Sequence, residues 1–414
     1  MKIAIYGVSR CGKDYLIEKT VEKMEGNLVH IKGSETLNTL ALKRFGIKFK
    51  LLDEKSQEIL RKEFTILIKD MEKKYENIVV DGHFSFPDGD GFKTVFTQED
   101  LNLYDAFFYL NKSAELIRDN CMRNDKKQFE EFLNSEENIN NWKRFEIENM
   151  KKEVVSQNKD FIILDDSTTT SAEFISEYIK KDWRTVTITK KIINSLKEKI
   201  KNCDEIVLTD LDKTLSIDDL TNDFVKYSNL EGKKIKNIFS GDYYTTYQFY
   251  KFHNYLALSK DFNCAVDYAI GKIGYNTALI KELENKKPGT AIIGITTGMA
   301  DAWNKINKKL KILDSLIGKS TFKIDGIDTY ITPQIKGMVA NELKNLGKKV
   351  LSVGDSYIDL EMLTLSHRGY LVAMLKLDKR IEKRVEYLKD KNIAQLNFNK
   401  FKYEKIREVN TIWQ

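Results

Sequence analysis

The sequence predicts an α/β protein built on parallel sheets, and three observations predict it. Short apolar runs alternate with longer amphipathic stretches along the whole chain, the pattern of strands joined by crossover helices. Each half of the chain opens on such a run followed at once by a loop of chemically active residues, which is where parallel sheets place their sites. Only 3 Pro occur in 414 residues, so helices are limited by Gly, Asn and Asp rather than by Pro.

At roughly 150 residues per domain, this length implies two or three domains. Apolar residues make up 42 % and charged residues 31 %, a balance that excludes a disordered or fibrous chain. The 68 Lys and Arg against 62 Asp and Glu give a net charge of +6, short of the excess a dedicated nucleic-acid binder carries. Cys11, Cys121, Cys203 and Cys264 lie far apart without C-x-x-C spacing and read as reduced thiols. No apolar run is long enough to span a bilayer, and Ile3-Ala4-Ile5-Tyr6 opens the chain as a strand rather than a signal peptide. A cytoplasmic protein is expected, with no membrane partner.

Candidate strands in the first half are Lys2 to Tyr6, Leu28 to Ile31, Asn77 to Val80, Ala106 to Leu110 and Phe161 to Leu164. A second series starts at Glu205 to Thr209 and resumes at Ala291 to Ile295, Thr321 to Ile324, Lys349 to Val353 and Gly369 to Val372. The aromatic-rich stretch from about Ser216 to Pro288 reads as a helical insert, and the Lys-rich Val186 to Asn202 as a helical connector. The expected organisation is a domain over 1–183, a connector over 184–202 and a domain over 203–414 with a cap at about 216–288.

Behind the first strand stands Gly7-Val8-Ser9-Arg10-Cys11-Gly12-Lys13-Asp14, which fits G-x-x-x-x-G-K between strand and helix. Glycines at Gly7 and Gly12 let backbone N–H groups turn inward, the helix N-terminus adds positive potential, and Lys13 bridges phosphates. Asp14 replaces the usual Ser or Thr; a carboxylate is still an oxygen ligand for Mg²⁺. Asp81 ends the third strand facing this loop, placed for the Mg²⁺ shell or the acceptor. Asp81 and His83 are both candidates for a base. Arg118 and Arg123 lie near a helix end, from which a guanidinium can reach phosphate or stack on adenine.

In the second half, Asp210 and Asp212 follow a buried strand two residues apart and point the same way. One can attack phosphorus while the other protonates the leaving oxygen. Two carboxylates and a phosphate dianion repel, so a cation is required. Thr296-Thr297-Gly298 offers a hydroxyl and N–H groups for phosphate, Lys336 a neutralising charge, and Asp355 and Asp359 the rest of the metal site. In the insert, Phe224, Tyr243, Tyr244, Tyr247, Phe249, Tyr250, Phe252, His253 and Tyr255 suit either stacking on a substrate ring or a helical core.

The Gly-x-x-Arg-x-Gly-Lys-Asp loop resembles that of phage deoxynucleoside monophosphate kinases and animal phosphomevalonate kinases. With Val80-Asp81-Gly82-His83, residues 1–183 resemble archaeal-type adenylate kinases and small P-loop kinases. The resemblance implies ATP held by Gly7, Arg10, Gly12, Lys13, Asp14, Arg118 and Arg123, with Asp14 toward Mg²⁺ and Lys13 and Asp81 catalytic. Residues 203–400 resemble the haloacid dehalogenase (HAD) phosphatases, most closely the phosphoserine phosphatase branch with its Rossmann-like core and helical cap. That resemblance implies Asp210 as nucleophile through an aspartyl-phosphate, Asp212 as acid and base, Thr297 or Thr296 on phosphate and Lys336 as charge partner. It further implies Mg²⁺ on Asp210, Asp355, Asp359 and the Asp212 carbonyl.

Three functions fit the fusion. Both domains handle small phosphorylated metabolites or nucleotides; or the enzyme heals nucleic-acid ends, as polynucleotide kinase-phosphatases do; or the first half only binds nucleotide. The modest charge, the cap and His30-Ile31-Lys32-Gly33-Ser34-Glu35, where 5′-kinases tend to carry Asp-Asp-x-x-Arg, favour small molecules.

Overall fold

The computed structural model describes residues 1–123, 130–322, 324–374, 376–388, 391–396, 402–403 and 405–413. The chain divides into two compact units, Met1–Arg184 and Thr185–Gln414. No helix among the described residues is long and apolar enough to cross a membrane.

The first unit contains strands β1 (Lys2–Tyr6), β2 (Val29–Lys32), β3 (Ile78–Asp81), β4 (Ser85–Asp88), β5 (Gly91–Thr94), β6 (Ala106–Leu110) and β7 (Asp160–Leu164). Five form a parallel sheet in the order β2-β3-β1-β6-β7. The central strands β1 and β6 are almost wholly buried, which is why they read as continuous apolar runs. Ile5 pairs with Asp81, so the loop after β1 and the carboxylate ending β3 emerge at the same edge. β4 and β5 make a separate antiparallel hairpin that the sequence did not announce.

The second unit contains β8 (Glu205–Thr209), β9 (Thr290–Ile295), β10 (Ser315–Gly318), β11 (Gly326–Asp328), β12 (Lys349–Gly354), β13 (Arg368–Leu371), β14 (Ile393–Leu396) and β15 (Glu408–Val409). They form one parallel sheet in the order β11-β10-β9-β8-β12-β13-β14-β15. Thr209 pairs with Gly294 on one side and Val353 on the other, so the residues after β8, β9 and β12 emerge side by side. The cap helices Leu220–Ser228, Gly232–Ile238, Thr246–Leu256 and Phe262–Lys272 lie between β8 and β9. The insert closes at its base, where the Ile217 amide donates to Gly274 and the Asn276 amide to Leu215, each at 2.9 Å.

Two expectations change. The helix Thr185–Ile200 buries Ile188, Ile192, Ile193, Leu196 and Ile200 and packs against the helix Pro333–Asn345 as part of the second unit. Of the stretch Thr321 to Ile324, the described residues Thr321, Phe322 and Ile324 are in no strand, and Ser315–Gly318 takes that place. The amides of Thr321 and Phe322 donate to the Asp301 carboxylate, which removes them from any ladder, and Lys323 lies outside the described residues.

Candidate active sites in the two units

The phosphate loop of the first unit depends on one close approach. Gly7 stands at φ 150°, and a Cβ there would lie 2.8 Å from Cys11 Sγ and 2.9 Å from the Leu110 carbonyl oxygen, so only glycine fits. The helix Lys13–Lys23 starts from Gly12 with no side-chain cap, so its first-turn N–H groups are free to meet an anion. Lys13 Nζ donates to the Gly7 carbonyl at 2.7 Å. Asn120 Nδ2 donates to the carbonyl of Arg10 at 3.0 Å, fixing a residue in the left-handed region at φ 68°.

A cleft of about 770 Å³ is lined by Arg10, Gly12, Lys13, Asp14, Asp81 and His83, with Lys32, Lys112, Asn120 and Thr168. Arg118 and Arg123 are not among its walls. Leu116 and Asn120 turn one face of their helix to the cleft, and Arg118, midway between them, points elsewhere and donates to Glu136 at 2.7 Å. Arg123 is the exposed C-cap of that helix.

Asp81 accepts from His30 Nε2 at 3.0 Å and from the Gly33 amide at 3.2 Å. Burial pushes its carboxyl up, but the His30 hydrogen bond and charge and nearby Lys13 outweigh that and hold it below the usual range. Burial drives the His83 imidazole well below its ordinary pKa, with Lys13 adding to the effect. Its Nδ1 is buried without a hydrogen-bond partner among the described residues. Sequence reasoning missed Glu146, a fully buried carboxylate that accepts from the Ser85 amide at 3.0 Å and Tyr109 OH at 2.9 Å. It anchors the start of the hairpin just beyond Asp81 and His83.

The second site is more completely assembled. Lys336, fully buried, donates to Asp210 Oδ1 and Asp359 Oδ1, both at 2.6 Å. Burial works against its charge, but the two carboxylates hold its pKa above the ordinary lysine value. Thr214 Oγ1 lies 3.4 Å from Asp210 Oδ2. Asp359 Oδ2 accepts from the amides of Asp355 and Ser356 at 3.2 and 3.1 Å and from Ser356 Oγ at 2.9 Å. A Cβ on Gly354 would fall 2.5 Å from Asp359 Cβ, so glycine is required there too.

One oxygen each from Asp210, Asp355 and Asp359 lies within 4.8 Å of the other two, an all-oxygen donor set that suits Mg²⁺. Burial and the Asp359 charge raise Asp210 to about 7 and Asp355 well above the usual carboxylate value, the repulsion a cation relieves. Asp14 belongs to no such cluster among the described residues.

Asp212 is held from both sides. Its Oδ1 accepts from the Leu220 amide of the cap at 3.1 Å and its Oδ2 from Trp303 Nε1 at 3.2 Å. Burial, Asp219 and Asp210 push its carboxyl up to about 8, which suits a group that delivers a proton. The side chain is thus engaged, and the part of Asp212 assigned to the cation is its backbone carbonyl. The two threonines separate as well. Thr296 Oγ1 accepts from the Gly298 amide at 2.9 Å, whereas among the described residues the Thr297 hydroxyl makes no bond to the chain, and Thr297 lines the cleft.

This cleft has a volume of about 690 Å³. Of the cap aromatics singled out in the sequence, Tyr244, Phe249 and Phe252 line it, together with Phe239, while Phe224 and Tyr247 are core. His253 instead lies tilted beside Tyr330 and donates Nε2–H to the Thr297 carbonyl at 3.2 Å. Trp303 and Leu220 could not have been found from the sequence, because both act on Asp212 through tertiary placement.

A family model described as an AAA domain matches residues 6–140. No curated protein matches the chain. Among solved structures, it is similar to a phosphoserine phosphatase in a phospho-aspartyl intermediate analogue form, at 21 % identity over 45 % of this chain and 99 % of that one, with a TM-score of 0.33. A probable phosphoserine phosphatase from Vibrio cholerae matches at 12 % identity over 46 % and 65 %, with a TM-score of 0.32. A deoxyadenosine kinase from M. mycoides matches at 20 % identity over 44 % and 100 %, with a TM-score of 0.28. Each unit is built on a parallel sheet whose strand ends carry the residues described above, and the match to the AAA domain model falls within the first unit.

Proposed function

We propose that the chain is a bifunctional phosphoryl-handling enzyme, with an ATP-dependent kinase in the first unit and a phosphomonoester hydrolase acting on a small molecule in the second. The observation that carries the second activity is the Lys336 bridge, 2.6 Å from both Asp210 and Asp359, beside an Asp212 held from two directions. Asp210 attacks phosphorus, and the ester P–O bond breaks as Asp212 gives its proton to the leaving oxygen. Water then attacks the aspartyl-phosphate, Asp212 takes its proton, and inorganic phosphate leaves with Asp210 restored. Thr297 and Lys336 hold the phosphoryl oxygens. A divalent cation on Asp210, Asp355 and Asp359 would neutralise the dianion as it approaches.

In the first unit, Lys13 and the amides of the loop would hold the donor's phosphates, with Asp14 toward Mg²⁺. Asp81, tied to His30 and Gly33, orients rather than abstracts a proton.

The test uses the full chain with p-nitrophenyl phosphate and Mg²⁺. Asp210→Asn is expected to abolish turnover and the acid-stable covalent phosphate label that the parent enzyme accumulates. Retained turnover would sink the mechanism. For the first unit, ATP consumption across a panel of nucleotide, sugar and amino-alcohol acceptors is expected to stop in Lys13→Ala. Absence of any accepting compound would reduce that unit to a nucleotide-binding module.

A further inference from the structure

The cleft of the second unit holds more positive charge than its chemistry uses. Lys336 is committed to Asp210 and Asp359. Lys213 pairs with Asp219 at 3.1 Å, and Arg380 is held by Asp378 and by Tyr244 OH. Two further lysines line the same cleft, Lys236 from the cap helix Gly232–Ile238 and Lys376 from the segment after β13. Both are exposed, and among the described residues neither has a carboxylate partner.

The negative side of the ledger is short. Among the described residues, the only carboxylate lining the cleft apart from Asp210, Asp212 and Asp355 is Asp219. It already accepts from Lys213 and from the Thr221 amide at 3.0 Å. A leaving group bearing an ammonium therefore meets two unpaired cations and no open carboxylate. The cap wall also carries the apolar side chains of Val225, Ile235, Phe239 and Phe249, beside the polar Thr221 and Asn222.

We propose that the leaving group in the phosphatase reaction carries a second anionic group, read by Lys236 from the cap and Lys376 from the core, on an apolar or ring-bearing body packed against Phe239 and Phe249. This rests on the phosphatase function proposed above. A cation on each side of the cleft also makes cap and core meet across the substrate, so the second anion helps to bring the cap over the reacting phosphate.

The experiment compares matched substrates of the full chain, a nucleoside 5′-monophosphate against the 3′,5′-bisphosphate, with O-phosphoserine as the ammonium-bearing arm. The bisphosphate is expected to exceed the monophosphate at least about tenfold in kcat/KM, the effect of one well-placed charge contact. In the Lys236→Gln/Lys376→Gln double variant that ratio is expected to fall toward one, and Lys236→Arg/Lys376→Arg to retain it. Calorimetric binding of the same pair to Asp210→Asn is expected to show the same preference without turnover. A dinucleotide bearing a terminal phosphate, run alongside, distinguishes a phosphodiester from a phosphomonoester as the source of the second anion. A ratio near one in the parent, a ratio unchanged in the Gln double variant, or phosphoserine as the better substrate would overturn the proposal. Failure to turn over p-nitrophenyl phosphate would instead remove the phosphatase function itself.

Discussion

Lys213 stands at φ 59°, in the left-handed region that costs an L residue about 1–2 kcal/mol. The turn it makes carries the chain from Asp212 to Thr214, whose hydroxyl reaches toward Asp210, so the strain sits inside the candidate site. Its amide donates to Ser216 Oγ at 3.1 Å and its ammonium to Asp219, contacts that hold the conformation in place. Lys213→Gly and Lys213→Ala lose the same ion pair but differ in backbone cost. The Gly variant is expected to be the more stable by about 1 kcal/mol in urea unfolding of the full chain; equal midpoints would show that the turn is unstrained. Lys336 makes the opposite case, since its stem and charge are both buried. Lys336→Met leaves Asp210 and Asp359 without their shared cation, and a loss of about 3–5 kcal/mol in metal-free buffer is expected. A loss below 1 kcal/mol would mean the carboxylates are solvated or protonated without cost.

At the scale of the element, the strands that carry chemistry were legible because they are central. β1, β6 and β8 match their sequence limits, since burial on both faces leaves an unbroken apolar run that ends where the polar site begins. The exposed hairpin β4–β5 shows no such signal, having Pro87 in one strand and Gly91 and Lys93 in the other. Asp210, Asp212, Lys336, Asp355 and Asp359 could be picked out by order along the chain. Trp303 could not, because on the helix Ala300–Leu310 it looks like any core aromatic, and its indole N–H finds Asp212 only in three dimensions. Trp303→Phe keeps the ring and removes that donor. A hydrogen bond to a charged group contributes about 1.5–3 kcal/mol, so kcat is expected to fall about 10–100-fold with little change in KM; an unchanged kcat would make Trp303 a packing residue only. The cap helix Thr246–Leu256 adds a pH dependence. Burial pushes His253 down to about 3, so between pH 6.5 and 3 the unfolded chain binds a proton that the folded chain does not. Stability is therefore full above pH 6.5 and falls as the pH drops, by up to about 1.4 kcal/mol per pH unit. His253→Gln is expected to flatten that limb in acid unfolding midpoints, and an identical slope would show that His253 titrates normally in the fold.

Across the whole molecule, each unit repeats one device, a parallel sheet whose strand ends gather a candidate site from residues distant in sequence. The two clefts share no lining residue, and each site draws all of its assigned residues from its own unit. A kinase and a phosphatase acting on one substrate position would only hydrolyse ATP, so the two are expected to act on different positions or different molecules. The consequence is measurable once an acceptor is found. With ATP and that acceptor, the parent chain and Asp210→Asn are expected to accumulate phosphorylated product at equal rates, because the phosphatase does not cleave the bond the kinase makes. In the reciprocal measurement, Lys13→Ala is expected to retain the parent kcat on p-nitrophenyl phosphate. Product that builds up only in Asp210→Asn, with ATP consumed by the parent chain and no net phosphorylation, would show that both sites work on the same phosphate and that the chain is a futile cycle held in check by something outside it.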